Sequence, residues 1–364
     1  MADFPLSFDE WERGAKEKLS PERFAYVAGG AGEGDVMAEN MKALGSWRII
    51  PRVLRGSPDP SISTELLGVE VAAPIMLAPV RGLDYIRQNG QDSCAQAASK
   101  SRIPLMLSNL ASASIESVAA TMGTTLRLMQ LYPCTDWEVT RSLVGRAENS
   151  GYAGLVLTVD TPGHPIQYHG PKTSEYQDYG HEVYLSDPVF QSRLKQPPNR
   201  DRRAALELIK KIREATFNWD DVERIRKSTK LPVFLKGVLS AEDAKEAAER
   251  GLSGVVVSNH GGRTLSGEVT SVDMLPEIAE ATGAKLTVLY DGGVRSGTDV
   301  LKALALGADA VLVGRAYVYA LAFGGGEGVG SMLSTMMREL KSGLATCGCS
   351  SIRDLDGSRV RRFT

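Results

Sequence analysis

The sequence predicts a (β/α)8 barrel of parallel strands. Two observations carry this reading. Eight short apolar runs rich in β-branched residues recur along the chain, and most gaps between them hold helix-like text. The runs are IMLAP from Ile75, IPLMLSN from Ile103, TLRLMQLY from Thr125 and GLVLTVD from Gly154. They continue with PVFLKGV from Pro232, GVVVSNHGG from Gly254, LTVLYDGG from Leu286 and AVLVGRA from Ala310. A doubly wound sheet is the alternative; eight strands without a large second domain favour the barrel. The intervening text has helix grammar. Ser240 to Gly251 starts with a Ser N-cap and acids in the first turn and ends on Gly; Ser296 to Ala308 follows the same pattern.

The expected organisation is one domain over residues 1–364. Residues 1–70 form an N-terminal extension, 71–340 the barrel and 341–364 a tail. In the extension, Ser20 with Pro21 marks the start of a short helix. The following AYVAGGAGEGD, with four glycines in eleven residues, reads as a loop. Between Asp160 and Pro232 the gap is about seventy residues, far longer than an ordinary barrel connection. Its polar, Pro-containing part, about 165–205, reads as a mobile loop at the barrel mouth, followed by the helix AALELIKKIREA.

Composition narrows the function. The 364 residues are 43% hydrophobic and 24% charged, with a formal net charge of −2. That balance argues against nucleic acid or an anionic membrane as the main partner. No apolar run approaches a membrane span, and the charged start lacks a secretory apolar segment. The end, RVRRFT, is no peroxisomal tripeptide. Four cysteines do not make a disulfide framework, and Cys347 with Cys349 lacks the partner ligands of a zinc site. Cytoplasm is the expected compartment, with no metal.

In such barrels, chemistry gathers at the carboxyl ends of the strands. Those ends collect Ser108, Gln130, Tyr132, Thr158, Asp160, Lys236, Ser258, His260, Arg263, Asp291, Arg295 and Arg315. A lone His after a strand is more often structural than catalytic. Asp160, ending another strand, changes that balance for His260, because a carboxylate fixes the ring tautomer and stabilises the imidazolium. Lys236 ends an apolar strand and needs an anion; a structural ion pair with Asp160 or Asp291 is the plain reading. Gly292, Gly293 and Arg295, with Gly314 and Arg315, place open backbone amides and arginine forks where barrels bind phosphate.

Taken together, SNHGGR from Ser258, LTVDTP, MQLY, LKG and DGGVRSGTDVLKALALGA resemble the FMN-dependent α-hydroxy-acid oxidases and dehydrogenases, the glycolate oxidase and lactate oxidase group. The resemblance runs from about Phe8 to Arg359. It implies FMN as cofactor, with the backbone of Ala78, Pro79 and Val80 beside the ring. Ser108, Gln130 and Thr158 would hydrogen-bond the ring, and Lys236 would supply a cation to it. Ser258 and Asp291 would hold ring or ribityl chain, and Gly293, Arg295, Gly314 and Arg315 the phosphate. His260 would be the base, backed by Asp160. Arg263 would hold the substrate carboxylate, and Tyr26 and Tyr132 would hydrogen-bond the substrate. The resemblance also implies a homo-oligomer, a tetramer, and reoxidation by O2 or another acceptor.

The pattern breaks on the substrate side. Gln167 stands where the family has a second carboxylate-binding arginine, replacing a charged fork by a neutral amide. Leu110 replaces an aromatic residue, and APVRG brings Arg81 and Gly82 to the ring edge in place of small residues. Arg81 either supplies the missing charge from another direction or forms a surface salt bridge. The expected reaction is therefore oxidation of the α-carbon of a larger or atypical carboxylic acid, such as an aryl or heterocyclic one. The main alternative is C–N oxidation of an α-amino or cyclic imino acid. A reduced-FMN isomerase, which would need a metal and a diphosphate site, and a flavin carrier without catalysis fit the residues less well.

Overall fold

Eight parallel strands close on themselves in the computed structural model, which describes residues 4–56, 59–161, 166–213 and 217–363. The strands are β1 Ile75–Leu77, β2 Leu105–Ser108, β3 Arg127–Leu131, β4 Leu155–Thr158, β5 Val233–Val238, β6 Gly254–Val257, β7 Thr287–Tyr290 and β8 Ala310–Val313. Each pairs in parallel with the next, and β8 returns to β1. The (β/α)8 barrel read from the sequence is the fold observed.

Side chains alternate across each strand, so two apolar layers form. Met76, Met106, Leu128, Val156, Phe234, Val256, Leu289 and Leu312, one from each strand, fill the barrel interior. Their neighbours, such as Ile75, Leu107, Leu157, Leu235 and Val257, face the surrounding helices in the second cluster. A hairpin, Thr64–Leu66 and Val69–Val71, contributes Leu66 and Val71 to the interior cluster at the amino end of the barrel.

The extension carries α1 Phe8–Lys18, α2 Pro21–Ala28 and α3 Asp35–Ser46. Ser7 and Glu10 form a capping box on α1, and Ser20 caps α2 with Pro21 at its first position. The expected loop after Pro21–Phe24 begins later than the sequence suggested. Ala25 to Ala28 complete α2, and the chain leaves the helix only where the glycines start, at Gly29. Tyr26 therefore sits on the last turn of a helix. A short antiparallel pair, Trp47–Ile49 with Val360–Arg362, ties the extension to the tail.

The stretch about 165–205 also differs from a bare loop. It holds a 3-10 turn, Glu175–Asp178, and two short helices, Glu182–Leu185 and Pro188–Gln191. Val183, Tyr184, Leu185 and Phe190 are buried, and buried Asp187 accepts from Ser142 Oγ (2.7 Å) and Arg146 Nη1 (3.2 Å). The apolar residues hidden in that polar text, Val183, Tyr184, Leu185 and Phe190, join the helix-facing core cluster, which is why the segment docks. The amphipathic helix α4, Arg202–Arg213, follows.

Gly254 shows how tightly the interior is filled. A Cβ there would overlap the Phe234 ring and the Thr287 carbonyl. Gly254→Ala is expected to destabilise the fold by about 1–3 kcal/mol, because a packed core gives way poorly to added volume; chemical denaturation of the two proteins checks this.

Candidate active site

Two residues beyond each interior apolar side chain, the same inward face of the barrel turns polar or small. The residues are Ala78, Ser108, Gln130, Thr158, Lys236, Ser258, Asp291 and Gly314. The register matches them within strand pairs and steps by two residues between pairs: Ser108 lies opposite Gln130 and Thr158 opposite Lys236, whereas Gln130 lies opposite Val156 and Lys236 opposite Val256. Gln130 Nε2 donates to Thr158 Oγ1 (3.0 Å). Above this layer opens a cavity of about 920 Å³. That is at the upper end for ligand sites and leaves room for a large cofactor and a substrate together.

Lys236 is almost fully buried. Its Nζ donates to Ser258 Oγ (2.8 Å) and pairs with Asp291 Oδ2 (3.1 Å), while Ser258 Oγ donates to Asp291 Oδ1 (2.5 Å). Burial alone would discharge the ammonium. The Asp291 and Asp160 carboxylates outweigh it and hold the lysine above its ordinary value. The ion pair weighed for Lys236 is thus present, with Asp291 as partner, and Lys236 still lines the cavity. Ser258 is not among the lining residues; it stands behind Lys236 and Asp291 and acts through them.

His260 follows β6 in the left-handed region (φ 55°), with Gly261 and Gly262 continuing it (φ 66° and 76°). Such backbone is costly for a residue with a Cβ. Here His260 N donates to Ser258 Oγ (3.0 Å), and Gly262 must lack a side chain because a Cβ would press on Met37 of α3. The ring Nδ1 meets both Asp160 oxygens, at 3.0 and 3.1 Å. With Asp160 ionised, Nδ1 is the donor, so the neutral ring leaves Nε2 bare. Burial opposes ionisation of Asp160, but His260 and then Lys236 outweigh it and hold the carboxyl below its usual value. Gly237, in a bulge of β5 at φ 104°, clears the space: a Cβ there would lie 2.6 Å from Asp160 Cγ.

The arginines converge on the other side of the cavity. Arg315 donates to Val27 O (3.0 Å), Gly261 O (2.9 Å) and Gly29 O (2.8 Å), and Arg263 Nη1 to Gly29 O (2.7 Å). Two guanidiniums therefore satisfy the orphan carbonyls at the C-terminus of α2, which has no basic residue of its own there. The Arg295 guanidinium donates to Val294 O, lies 4.3 Å from the Phe8 ring centre and leaves a buried Nε without a hydrogen-bond partner among the described residues. Burial, then Arg263 and Arg295, push Arg315 down to about 9. Among the described residues none of the three forms an ion pair with a carboxylate. This cation excess fits a bound phosphate. The long helix Arg315–Thr346 adds to it, because its N-cap, Gly314, leaves the first-turn amides without a side-chain cap.

Tyr132 lines the cavity, and burial followed by the Asp160 charge pushes its hydroxyl up to about 12, so it stays a donor. Tyr26 also lines the cavity, but its hydroxyl donates to Arg81 O (3.0 Å). Ala78, Pro79 and Val80 are on the wall, with Ala78 O accepting from Tyr317 Oη (2.9 Å). Gly293 and Gly314 line the same end of the cavity as Arg295 and Arg315. Gln167 lines the rim, bridged to Gly32. Among the described residues Arg81 makes no salt bridge. It turns into the cavity, and its Nη2 and Nε donate to Gln177 O (3.1 Å) and Tyr179 O (3.4 Å).

Sequence reasoning missed Gly237, Arg213, His181 and Asn40. A glycine inside strand text was a usable signal for Gly237. Asn40 exchanges two amide bonds of 2.9 Å with Asn259, fastening α3 to the end of β6. Nothing local marks Arg213 or His181.

His181 Nε2 donates to Gln177 O (2.6 Å), and its Nδ1 is buried without a partner. Burial, with Arg81, Arg213 and Arg202, holds the ring down at about 4, below the ordinary value of about 6.5. The unfolded chain then takes up a proton that the folded chain refuses, so His181 erodes stability as pH falls from about 6.5 to 4. His181→Gln is expected to remove roughly 1–3 kcal/mol of that acid sensitivity, read from denaturation midpoints across this window.

The chain matches the family model described as FMN-dependent dehydrogenase over residues 15–362. It is 38% identical over 360 residues to an FMN-dependent alpha-hydroxy acid dehydrogenase of Penicillium citrinum, covering 97% of this chain and 90% of the relative. It is 36% identical over 362 residues to human 2-hydroxyacid oxidase 1, covering 98% and 96%. The structure superimposes on that of mandelate oxidase with a TM-score of 0.86 at 34% identity, covering 99% of this chain and 98% of the other. With the match spanning nearly the whole barrel and every strand end that builds the cavity, the chain belongs to the FMN-dependent dehydrogenase family.

Proposed function

We propose that the protein oxidises the α-carbon of a 2-hydroxy acid larger than glycolate or lactate to the 2-oxo acid, with His260 as the base. The observation that carries this is the Asp160–His260 contact at the rim of the Lys236-lined cavity. His260 Nε2, left bare by the Nδ1 bond, accepts the substrate proton, and Asp160 stabilises the resulting imidazolium. Arg263 lines the cavity and has donors that Gly29 and Val27 do not use; these hold the carboxylate. Tyr132 donates to the substrate oxygen. Lys236 fixes a positive charge in the cradle, and Arg295, Arg315 and the Gly314 helix start hold a phosphate. Bound FMN supplies the two-electron acceptor, which O2 or another acceptor reoxidises. The hydroxy-acid relatives favour this substrate class over amino or imino acids. Among the described residues no helix is long and apolar enough to cross a membrane. Cytoplasmic location and a homotetramer complete the proposal.

His260→Asn is expected to keep the yellow colour and slow anaerobic flavin reduction by a 2-hydroxy acid about 10²–10⁴-fold. Wild-type reduction in the variant would remove His260 from the role. Gln167→Arg is expected to raise kcat/KM for lactate about 10- to 100-fold, the worth of one charged hydrogen bond, in steady-state assays.

A further inference from the structure

The cavity continues past His260 to an outer wall that no sequence motif marks. Arg81, Tyr176, His181, Lys210 and Arg213 line it. Among the described residues neither arginine has a carboxylate partner. Arg81 uses two donors on the Gln177 and Tyr179 carbonyls and packs its guanidinium 5.6 Å from the Tyr176 ring centre. Arg213, on the last turn of α4, lies 5.5 Å from the Tyr132 ring centre, and its buried Nε has no hydrogen-bond partner. Both guanidiniums line the same cavity, where burial lowers Arg81 and the Arg213 charge adds to the effect. The acids on this wall, Asp178 and Glu207, are exposed, and Glu207 already binds Arg203 (3.1 Å). Lys210 adds a third positive charge.

Arg263 lies 5.8 Å from the Tyr26 ring centre, Tyr26 lies 5.2 Å from Tyr176, and Arg81 packs on Tyr176, while Tyr26 Oη donates to Arg81 O (3.0 Å). The Tyr26 and Tyr176 rings thus line the wall from Arg263 to Arg81. A molecule with an anion at each end meets both cations along that wall.

We propose that Arg81 and Arg213 form a subsite for a second carboxylate, so that the substrates are 2-hydroxydicarboxylic acids. The reactive end binds at Arg263, Tyr132 and His260, and the distal carboxylate lies between the two outer guanidiniums. The proposal rests on the 2-hydroxy-acid reading above for the identity of the reactive end; the distal subsite is tested independently of turnover.

The experiment is calorimetric titration of the FMN-loaded protein with 2-oxodicarboxylic acids of four to seven carbons, each against its distal monoamide. At the best-fitting length the diacid is expected to bind about 10- to 100-fold more tightly than the amide, the range for a hydrogen bond to a charged group. In Arg81→Gln and Arg213→Gln the ratio should fall towards one, and in Arg213→Lys it should largely persist. Flavin stoichiometry reports that each variant is folded. Equal binding of diacid and amide at every length, or a preference that survives both glutamine variants, overturns the subsite. Anaerobic bleaching by the matching 2-hydroxy acids separates the two claims. A binding preference without bleaching upholds the subsite and sinks the hydroxy-acid reading; bleaching by monoacids and diacids alike, without a binding preference, sinks the subsite alone.

Discussion

The two-residue repeat of a parallel strand is the constraint from which this molecule is built. Eight interior apolar side chains, Met76 through Leu312, fill the axis in staggered layers. Two residues later on each strand the chain must present something to the same axis, and what it presents is Ser108, Gln130, Thr158, Lys236 and their neighbours. Polar groups at that height would be expensive in a closed core. They are tolerable because the level forms the floor of an open cavity, and because Gln130 bonds Thr158 while Lys236 bonds Ser258 and Asp291. One more step along the chain brings Tyr132, Asp160 and His260 to the rim. Floor and rim are thus consecutive turns of one pattern.

Charge is then distributed unevenly on purpose of geometry alone. On the β4–β6 side, each basic group has a carboxylate: Lys236 has Asp291, and the His260 ring has Asp160. On the β7–β8 side and on the outer wall, Arg295, Arg315, Arg81 and Arg213 form no ion pair with a carboxylate among the described residues. Cations left in that state bind anions more strongly than they stabilise the empty fold. The extension is tied to this region by the same groups, since Arg263 and Arg315 close the C-terminus of α2 and Asn40 locks onto Asn259. Residues 20–46 are therefore part of the site's architecture, and Tyr26 reaches the cavity because its helix is held there.

The floor and rim were legible in the sequence because strand text stops abruptly at chemistry-bearing residues, and a barrel sends all those stops to one end. The placement of Arg295 and Arg315 at the cavity was legible for the same reason. The outer wall was not. Arg213 ends an amphipathic helix whose docking depends on Ile209 and Ile212 finding the barrel, and His181 sits between short helices held by Tyr184 and Phe190. Those are tertiary decisions with no local marker. Arg81 could be flagged as out of place, but its direction is set by the Gln177 and Tyr179 carbonyls, a hundred residues away. Gln167 is a neutral amide on the cavity rim, while Lys210 and Arg213 lie on an element that the sequence showed only as a helix.

The central claim is that Asp160 fixes His260 with its proton on Nδ1 and a bare Nε2 facing the cavity. The chain has only four histidines, so selective 15N labelling can resolve the ring nitrogens of each. The account predicts that the neutral His260 ring gives a protonated Nδ1 and an unprotonated Nε2, with this tautomer lost in Asp160→Asn. A neutral His260 ring protonated at Nε2 in the unaltered protein would contradict it.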